Sequence, residues 1–182
     1  MKRSFFLTVV LFGLSCWQIR AQDSLAFPAS WQGIWVGELQ IFNARGVVQT
    51  VPMELHIQAI EESENYTWHL IYGEDKEAGL RPYELVTIDA GRGLYQIDEK
   101  NSIAMEGYLL GGKFFQYFTV AGNALLTSTE KTGPDELVWE IAVSSETPVS
   151  VTGNTTEGEE EIPEVKTFPI NGLQRAVLTR KK

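Results

Sequence analysis

The side chains that most often carry catalysis or bind metal ions are scarce in this sequence. Histidine occurs twice, at His56 and His69, and cysteine once, at Cys16. His56 alternates with Glu54 on the polar parity of an extended run, so its imidazole is expected to face solvent. If the two histidine-bearing runs pair as a hairpin, the imidazoles approach each other, but a zinc site would still need a third ligand that no motif supplies. The sequence therefore identifies no catalytic residue and no metal site.

Sequence motifs for common catalytic and cofactor sites are also missing. The chain contains no Gly-x-Ser-x-Gly, no phosphate-binding loop and no dinucleotide fingerprint, and no cofactor is expected. Carboxylates such as Glu54 and Glu106 could act as an acid and a base only at a suitable separation, which a sequence does not give. An enzyme that uses a carboxylate or a histidine therefore stays open as an alternative.

The first residues have the composition of a secretory signal peptide. A short basic start precedes an apolar stretch over residues 5–14, and the region ends with a small residue at Ala21. About ten apolar residues are too few to span a bilayer. Residues 1–21 are therefore predicted to be a signal peptide, which would make the protein secreted or periplasmic in a bacterial envelope. Leu14-Ser15-Cys16 also resembles the end of a bacterial lipobox, so a lipoprotein anchored through Cys16 is the alternative.

Charge and cysteine content exclude several classes of protein. With Cys16 as the only cysteine, the folded part can hold no disulfide and no cysteine-ligated zinc. Removing residues 1–21 takes away three bases and no acid, which lowers the formal charge from −9 to −12. A nucleic-acid-binding surface needs clustered lysine and arginine, and these are dispersed here. An acidic stretch over about residues 144–164 is predicted to be a flexible, solvated loop.

The rest of the chain alternates short extended runs with turn residues. Residues 31–42 and 66–72 show the two-residue period of half-buried strands, and Gly111-Gly112 is a strong hairpin signal. About ten such runs follow one another without a convincing amphipathic helix, which predicts an all-β fold. Short connections favour a single antiparallel up-and-down β-barrel over residues 22–182, closed by pairing of the first and last strands. An open sandwich with Greek-key links is the alternative.

The first extended run contains the triplet Gly33-Ile34-Trp35, which resembles the Gly-x-Trp opening of lipocalins and related calycin barrels. The resemblance implies a calycin-like barrel in which an arginine near the last strand packs against the first-strand tryptophan, and Arg175 matches that position. The presence of about ten runs, against eight strands in lipocalins, is more similar to the fatty-acid-binding and nitrobindin-type barrels. Haem binding of the nitrobindin type uses a histidine late in the chain; because none follows His69, haem is not expected.

Large aromatic side chains recur along the predicted strands and could either fill a small barrel or line a cavity. We expect a cavity that holds a small apolar or amphipathic molecule without turning it over. The protein is expected to be a monomer that neither binds nucleic acid nor spans a membrane. The predicted ligand-binding residues are Trp35, Trp68, Tyr117, Trp139 and Arg175.

Arg175 is expected either to stack on Trp35 or to pair with an anionic head group of the ligand. Two other functions remain as alternatives. A carbohydrate- or protein-binding surface module would present Trp68 and Trp139 on the outside of the fold. An envelope enzyme would place a carboxylate or a histidine at the barrel mouth.

The signal-peptide interpretation fixes the expected mature terminus. Mass spectrometry of the exported protein should give the mass of a chain that begins at Gln22. A diacylated Cys16 as the first residue would contradict this prediction and would make the protein a tethered lipoprotein.

Overall fold

The computed structural model describes residues 26–182. The predicted signal peptide and the alternative lipidation site, Cys16, lie outside this range. Between residues 26 and 182 no helix is long and apolar enough to cross a membrane. The chain over these residues is built mainly from β-strands joined by short turns.

Ten strands form the main sheet, and four strands of three residues lie in the connection before the last of them. The main strands are β1 (Gly33–Asn43), β2 (Gly46–Ile57), β3 (Tyr66–Tyr72), β4 (Leu80–Asp89), β5 (Leu94–Asp98), β6 (Ala104–Leu110), β7 (Lys113–Val120), β8 (Asn123–Gly133), β9 (Glu136–Ser145) and β14 (Ile170–Arg180). The short strands are β10 (Ser150–Thr152), β11 (Thr155–Glu157), β12 (Glu160–Ile162) and β13 (Val165–Thr167). A single-turn helix, α1 (Lys76–Gly79), links β3 to β4.

The ten main strands close into an antiparallel barrel. Each strand from β1 to β8 pairs with the next one in the chain, and β14 lies between β9 and β1. Trp35 of β1 is opposite Arg180 of β14, and the pairing continues along the seam to Asn43 and Gly172. The predicted all-β, up-and-down barrel of about ten strands is confirmed, together with the closure between the first and last strands. An open sandwich is not formed.

The N-terminal segment closes one end of the barrel, which we call the closed end. Trp31 lies in a 3₁₀ turn and not in the first strand. Its backbone carbonyl accepts a 2.9 Å hydrogen bond from the indole nitrogen of Trp35. The ring of Trp31 meets Phe27 edge to face at 4.7 Å. Phe27 in turn contacts Tyr95 and Phe114, at centroid distances of 4.7 and 5.8 Å. Trp31, Tyr95 and Phe114 are buried and Phe27 is partly buried, so these rings fill the closed end with side chains.

The loops at the opposite end, the open end, follow from the strand order. In an antiparallel meander the connections alternate between the two ends of the barrel. The loops after β1, β3, β5 and β7 therefore share the open end with the long connection between β9 and β14. No N-terminal segment covers this end within residues 26–182.

The acidic segment that the sequence predicts as a loop over about residues 144–164 contains regular structure. β10 pairs with β13 and β11 pairs with β12, so two short ribbons connect β9 to β14. Almost all of their side chains are exposed. Because both faces of the ribbons meet water, they lack the apolar alternation that reveals a half-buried strand. The prediction of a loop without strands is wrong, because the sequence pattern gives no sign of these two ribbons.

Gly37 provides a test of the closed seam. A Cβ added at Gly37 would overlap the carbonyl oxygen of Val177 on β14, whereas a Cβ at Gly172 on the same seam would have its nearest neighbour, Val143 Cβ, at an ordinary 3.6 Å. Overpacking costs about 1–3 kcal/mol. Gly37→Ala should lower the free energy of unfolding in urea by about that amount, and Gly172→Ala should change it by less than about 0.5 kcal/mol. Equal effects of the two substitutions would contradict the closed seam.

Candidate functional site

A cavity of about 150 Å³ lies inside the barrel near its open end. Its floor is formed by Trp68, whose ring meets Phe114 of the closed-end core at a centroid distance of 6.0 Å. Two residues lie at the mouth of the cavity. Tyr72 is the last residue of β3, and Glu99 directly follows β5, so both are at the open end. The aromatic lining comprises Trp68, Tyr72, Tyr83, Phe118 and Trp139, and the polar lining comprises Glu99, Gln116, Thr127 and Thr129.

The structure brings together two of the four predicted aromatic site residues. Trp68 and Trp139 both point into the barrel and are only 3% and 4% exposed. Trp35 also points inward, but it is fully buried in the core and does not line the cavity. Tyr117 is 68% exposed on the outer face of β7 and is not part of the cavity lining. Its inclusion in the predicted site is corrected, because inward positions on β7 are those of Phe114, Gln116 and Phe118.

Arg175 does not take the position that the calycin resemblance implies. It faces outward from β14 and forms an ion pair with Glu140 of β9 at 3.2 Å. Arg180, five residues later, stacks on Trp35 with its guanidinium carbon 4.2 Å from the ring centroid. The Arg180 guanidinium also donates to the carbonyl of Gln32 and pairs with Asp135 at 3.1 Å.

The alternation along β14 explains the difference between the two arginines. Ala176 and Leu178 are buried, whereas Arg175 and Val177 are exposed. Inward positions on β14 are therefore the even-numbered ones, and Arg180 shares their parity. The alternation of β14 could not be determined from the sequence, because residues 173–178 carry apolar side chains at both odd and even positions.

Gln116 and Thr127 supply polar groups inside the cavity that sequence reasoning missed. The Gln116 amide nitrogen donates a 2.8 Å hydrogen bond to the carbonyl of Met105. Its amide oxygen lies 3.4 Å from the hydroxyl of Thr127. Both side chains point into the barrel from strands whose other inward side chains are mostly apolar, so neither was recognised as a site residue from the sequence. A ligand in the cavity would thus meet an ordered amide and hydroxyl groups as well as aromatic rings.

Two tyrosine hydroxyls lie at the cavity mouth, and both stay protonated at neutral pH. Burial raises the pKa of Tyr72 well above its usual range; the neighbouring Tyr83 adds to this and Arg81 opposes it. Burial also raises the pKa of Tyr83, and the charge of Glu99 raises it further against the opposing effect of Arg81. Both phenols can therefore donate or accept hydrogen bonds without carrying charge.

Tyr72 separates the cavity from a wider and shallower depression of about 430 Å³. This depression is also at the open end, and its lining includes Leu39, Ile41 and Val51 on β1 and β2. Tyr72 lines both spaces and meets Trp139 edge to face at 6.4 Å. The Tyr72 ring thus lies between the aromatic cavity and a more open apolar depression.

The histidines and the carboxylates considered for catalysis lie outside the barrel. His56 and His69 are directly opposite each other on β2 and β3. Glu54 contacts His56 at 2.7 Å and Lys76 at 2.6 Å. Burial would raise the pKa of Glu54, but Lys76 and His56 outweigh it and hold the pKa below its usual value. Glu106 is exposed on the outer face of β6. None of these residues lines the cavity.

No group of three or more histidine, cysteine, aspartate or glutamate residues within residues 26–182 is arranged to hold a metal ion. The histidine pair on the outer face gains no third ligand from Glu54, whose two oxygens contact Lys76 and His56. Burial lowers the pKa of His69, and the charge of His56 lowers it further. These contacts make the cluster an ion-pair and hydrogen-bond network on the surface of the barrel.

The solved structures that resemble this barrel include the following two. One is a protein of unknown function from the DUF3598 family of Nostoc punctiforme, with a TM-score of 0.57 and 13% identity over 84% of this chain and 48% of that one. The other is an S-type phycobiliprotein lyase from Guillardia theta, with a TM-score of 0.51 and 11% identity over 85% of this chain and 90% of that one. The chain spans about half the length of the first protein.

These likenesses support the calycin-like barrel that the first strand indicates. At identities of 13% and 11% they concern the fold alone. No family model and no curated protein matches the sequence. The chain therefore has a calycin-like fold without assignment to a sequence family, and its function has to be argued from the cavity.

The two arginines of β14 make a matched pair for mutation. Arg180→Ala removes a guanidinium stacked on a buried indole, together with its hydrogen bonds, and should lower the free energy of unfolding by about 2 kcal/mol. Arg175→Ala breaks an ion pair whose arginine is half exposed and should cost less than about 1 kcal/mol. Urea denaturation followed by tryptophan fluorescence measures both. A larger effect at Arg175 would contradict the assignment of the stacking role to Arg180.

Proposed function

We propose that this chain is an exported binding protein that holds a small apolar or amphipathic molecule in the cavity at the open end of its barrel. The observation that carries the proposal is the contrast between the two ends. Buried aromatic side chains pack against one another at the closed end, whereas the open end keeps a space lined by rings and a few polar groups. Such a combination is typical of ligand-binding cavities.

The size of the cavity limits the ligand. A volume of about 150 Å³ equals the share of about five water molecules, and an apolar cavity of that size is able to hold one benzene ring. A single ring or a short aliphatic body therefore fits inside. An amphipathic molecule could place one end in the cavity and extend past Tyr72 into the open depression beside it. A long hydrocarbon chain would leave most of its surface outside the barrel.

Export is proposed from the composition of residues 1–21 and not from the barrel. The sequence there has the basic, apolar and small-residue segments of a signal peptide. The envelope location follows from it, with attachment through Cys16 as the alternative. The barrel itself is compatible with either route, because its described part begins at residue 26.

The likeness to a phycobiliprotein lyase supports the barrel fold of the proposed binding protein but not its ligand. A tetrapyrrole would be much larger than the enclosed cavity, so binding of such a molecule would have to use the open depression as well. The cavity instead favours a ligand whose buried part is one ring. We therefore base the ligand class on the lining of the cavity alone.

A surface-binding module is a second candidate function, but it would use other residues than the Trp68 and Trp139 expected from the sequence. Trp68 and Trp139 point inward, so they cannot form an outer aromatic surface. Tyr108 and Tyr117, however, are 39% and 68% exposed on the outer faces of β6 and β7, and Leu126 lies beside Tyr117 on β8. Exposed aromatic side chains on one sheet face can bind sugars or proteins. The experiment below separates this surface from the cavity.

Filling the cavity should abolish binding without changing the outer surface. Thr127 lines the cavity, whereas Thr119 on the adjacent strand is exposed outside it. The mature protein should bind small neutral compounds such as benzyl alcohol or indole saturably, with a change in tryptophan fluorescence. Thr127→Phe should weaken this binding at least about tenfold, which corresponds to the loss of about 1.4 kcal/mol of contacts. Thr119→Phe should leave it unchanged.

The control variants decide between the two candidate functions. Urea denaturation of Thr127→Phe shows whether the variant is folded, and Thr127→Leu fills less of the cavity at the same position if it is not. Binding that survives cavity filling but disappears in Tyr117→Ala would contradict the cavity proposal and favour the surface module.

A further inference from the structure

The mouth of the cavity carries one acidic group. Glu99, directly after β5, is the only carboxylate in the lining of the cavity, and no lysine or arginine lines it. Its carboxylate accepts a 3.2 Å hydrogen bond from the side-chain amide of Asn101. The backbone amide of Glu99 donates to the carbonyl of Ile103 at 2.9 Å, which holds the loop. Within residues 26–182, none of the ion pairs involves Glu99.

The bases nearest to Glu99 are directed elsewhere. Lys100 pairs with Glu84 at 2.8 Å and with Asp98 at 3.4 Å. Arg81 is exposed, and its guanidinium donates to the backbone carbonyls of Ala78 and Leu80. Arg81 is near enough to the two mouth tyrosines to affect their pKa values, but it does not line the cavity. The charge that a ligand meets inside the mouth is therefore negative.

The loops around the mouth extend this negative charge over the open end. Within residues 26–182, the connections after β1, β3, β5, β7 and β9 contain ten carboxylate side chains and four bases, whereas the loops and terminal segments at the closed end contain four carboxylate side chains and three bases. Most of the excess of carboxylates comes from the connection between β9 and β14, which carries the two acidic ribbons. A field of this kind attracts cations toward the mouth and repels anions, most strongly at low ionic strength.

The aromatic lining also suits a cation. Trp68, Tyr72, Tyr83 and Trp139 surround the space next to Glu99. The faces of indole and phenol rings attract ammonium groups, and the attraction grows as water is excluded. A neutral body would contact the same rings, so the rings alone do not select charge. Glu99 and the acidic loops supply the selectivity.

The geometry points to an organic cation as the preferred ligand: a protonated amine or quaternary ammonium group on a body of about one ring, with its charge beside Glu99 at the mouth. This inference rests on the proposed function and specifies its ligand class. It replaces the anionic head group expected from Arg175, because that side chain lies outside the barrel and pairs with Glu140. Carboxylate ligands of the same size are disfavoured by the same groups.

Three compounds of nearly equal size separate the effect of charge from that of shape. Benzylamine, benzyl alcohol and benzoate are titrated into the mature protein at neutral pH and followed by tryptophan fluorescence and isothermal titration calorimetry. Benzylamine should bind about tenfold or more tightly than benzyl alcohol, as expected for a hydrogen bond between charged groups. Benzoate should bind more weakly than benzyl alcohol. The preference for the amine should decrease when salt is added.

Substitutions at three charged residues locate the source of the preference. Glu99→Gln should bring the affinity for benzylamine to within about twofold of the affinity for benzyl alcohol, both measured on the same variant. Arg81→Gln should strengthen benzylamine binding. Glu161→Gln removes a charge from the exposed ribbon outside the cavity, and at physiological salt it should alter affinity less than about twofold.

The outcomes distinguish this inference from the function on which it rests. If benzyl alcohol binds but benzylamine is no tighter, or if benzoate is tightest and Arg81→Gln weakens it, the cavity binds ligands and the preference for cations is wrong. An amine preference that survives Glu99→Gln also overturns the role assigned to Glu99. If none of the three compounds binds while the protein is folded, the proposed function itself fails.

Discussion

The pairing of β1 with β14 is the constraint on which the rest of the structure depends. It joins the two ends of the meander, so the barrel has no open edge and every main strand has one inward and one outward face. Close approach at this seam requires glycine, because a side chain at Gly37 would overlap the backbone of β14. Once the seam is closed, the parity of each strand decides which side chains can reach a ligand. Trp139 is placed in the cavity and Tyr117 on the surface by this rule alone.

The two halves of the barrel use aromatic side chains in different ways. At the closed end the N-terminal segment inserts Phe27 and Trp31 among Tyr95 and Phe114; Phe27 meets Trp31 and Tyr95 edge to face and stacks on Phe114. At the open end no corresponding segment enters from above within the described part of the chain, and Trp68 and Trp139 line a space instead. The filled half supplies stability through burial of large apolar surfaces. This leaves the other half free to keep an unfilled cavity, which by itself costs stability.

Much of the fold could be predicted from the sequence because half-buried strands have a strong period. The predicted run over residues 66–72 coincides with β3, and the Gly111-Gly112 turn has positive φ angles of 59° and 84°. The short ribbons of residues 150–167 were missed because they have no buried face to produce a pattern. Trp31 was placed in a strand because its parity matches that of Trp35, although its carbonyl is needed to cap the Trp35 indole.

The site was harder to predict than the fold. Aromatic residues occur along most of the predicted strands, but the side of the sheet on which each one lies depends on register. Tyr117 was assigned to the wrong side. Glu99 and Gln116 had no motif to mark them, since a cavity is lined by residues that are distant in sequence. To identify the arginine that stacks on Trp35, one has to know which positions of β14 point inward. Arg180 satisfies that condition and Arg175 does not.

The central claim is that a small molecule binds inside the open half of the barrel. A crystal structure of the mature protein soaked with benzyl alcohol tests it most directly. The account predicts density for the ring between Trp68 and Trp139, below Tyr72 and beside Gln116, with the closed end still filled by protein side chains. Density on the outer face of β6–β8 beside Tyr117, or an open half packed solid by side chains with no ligand inside, would contradict it.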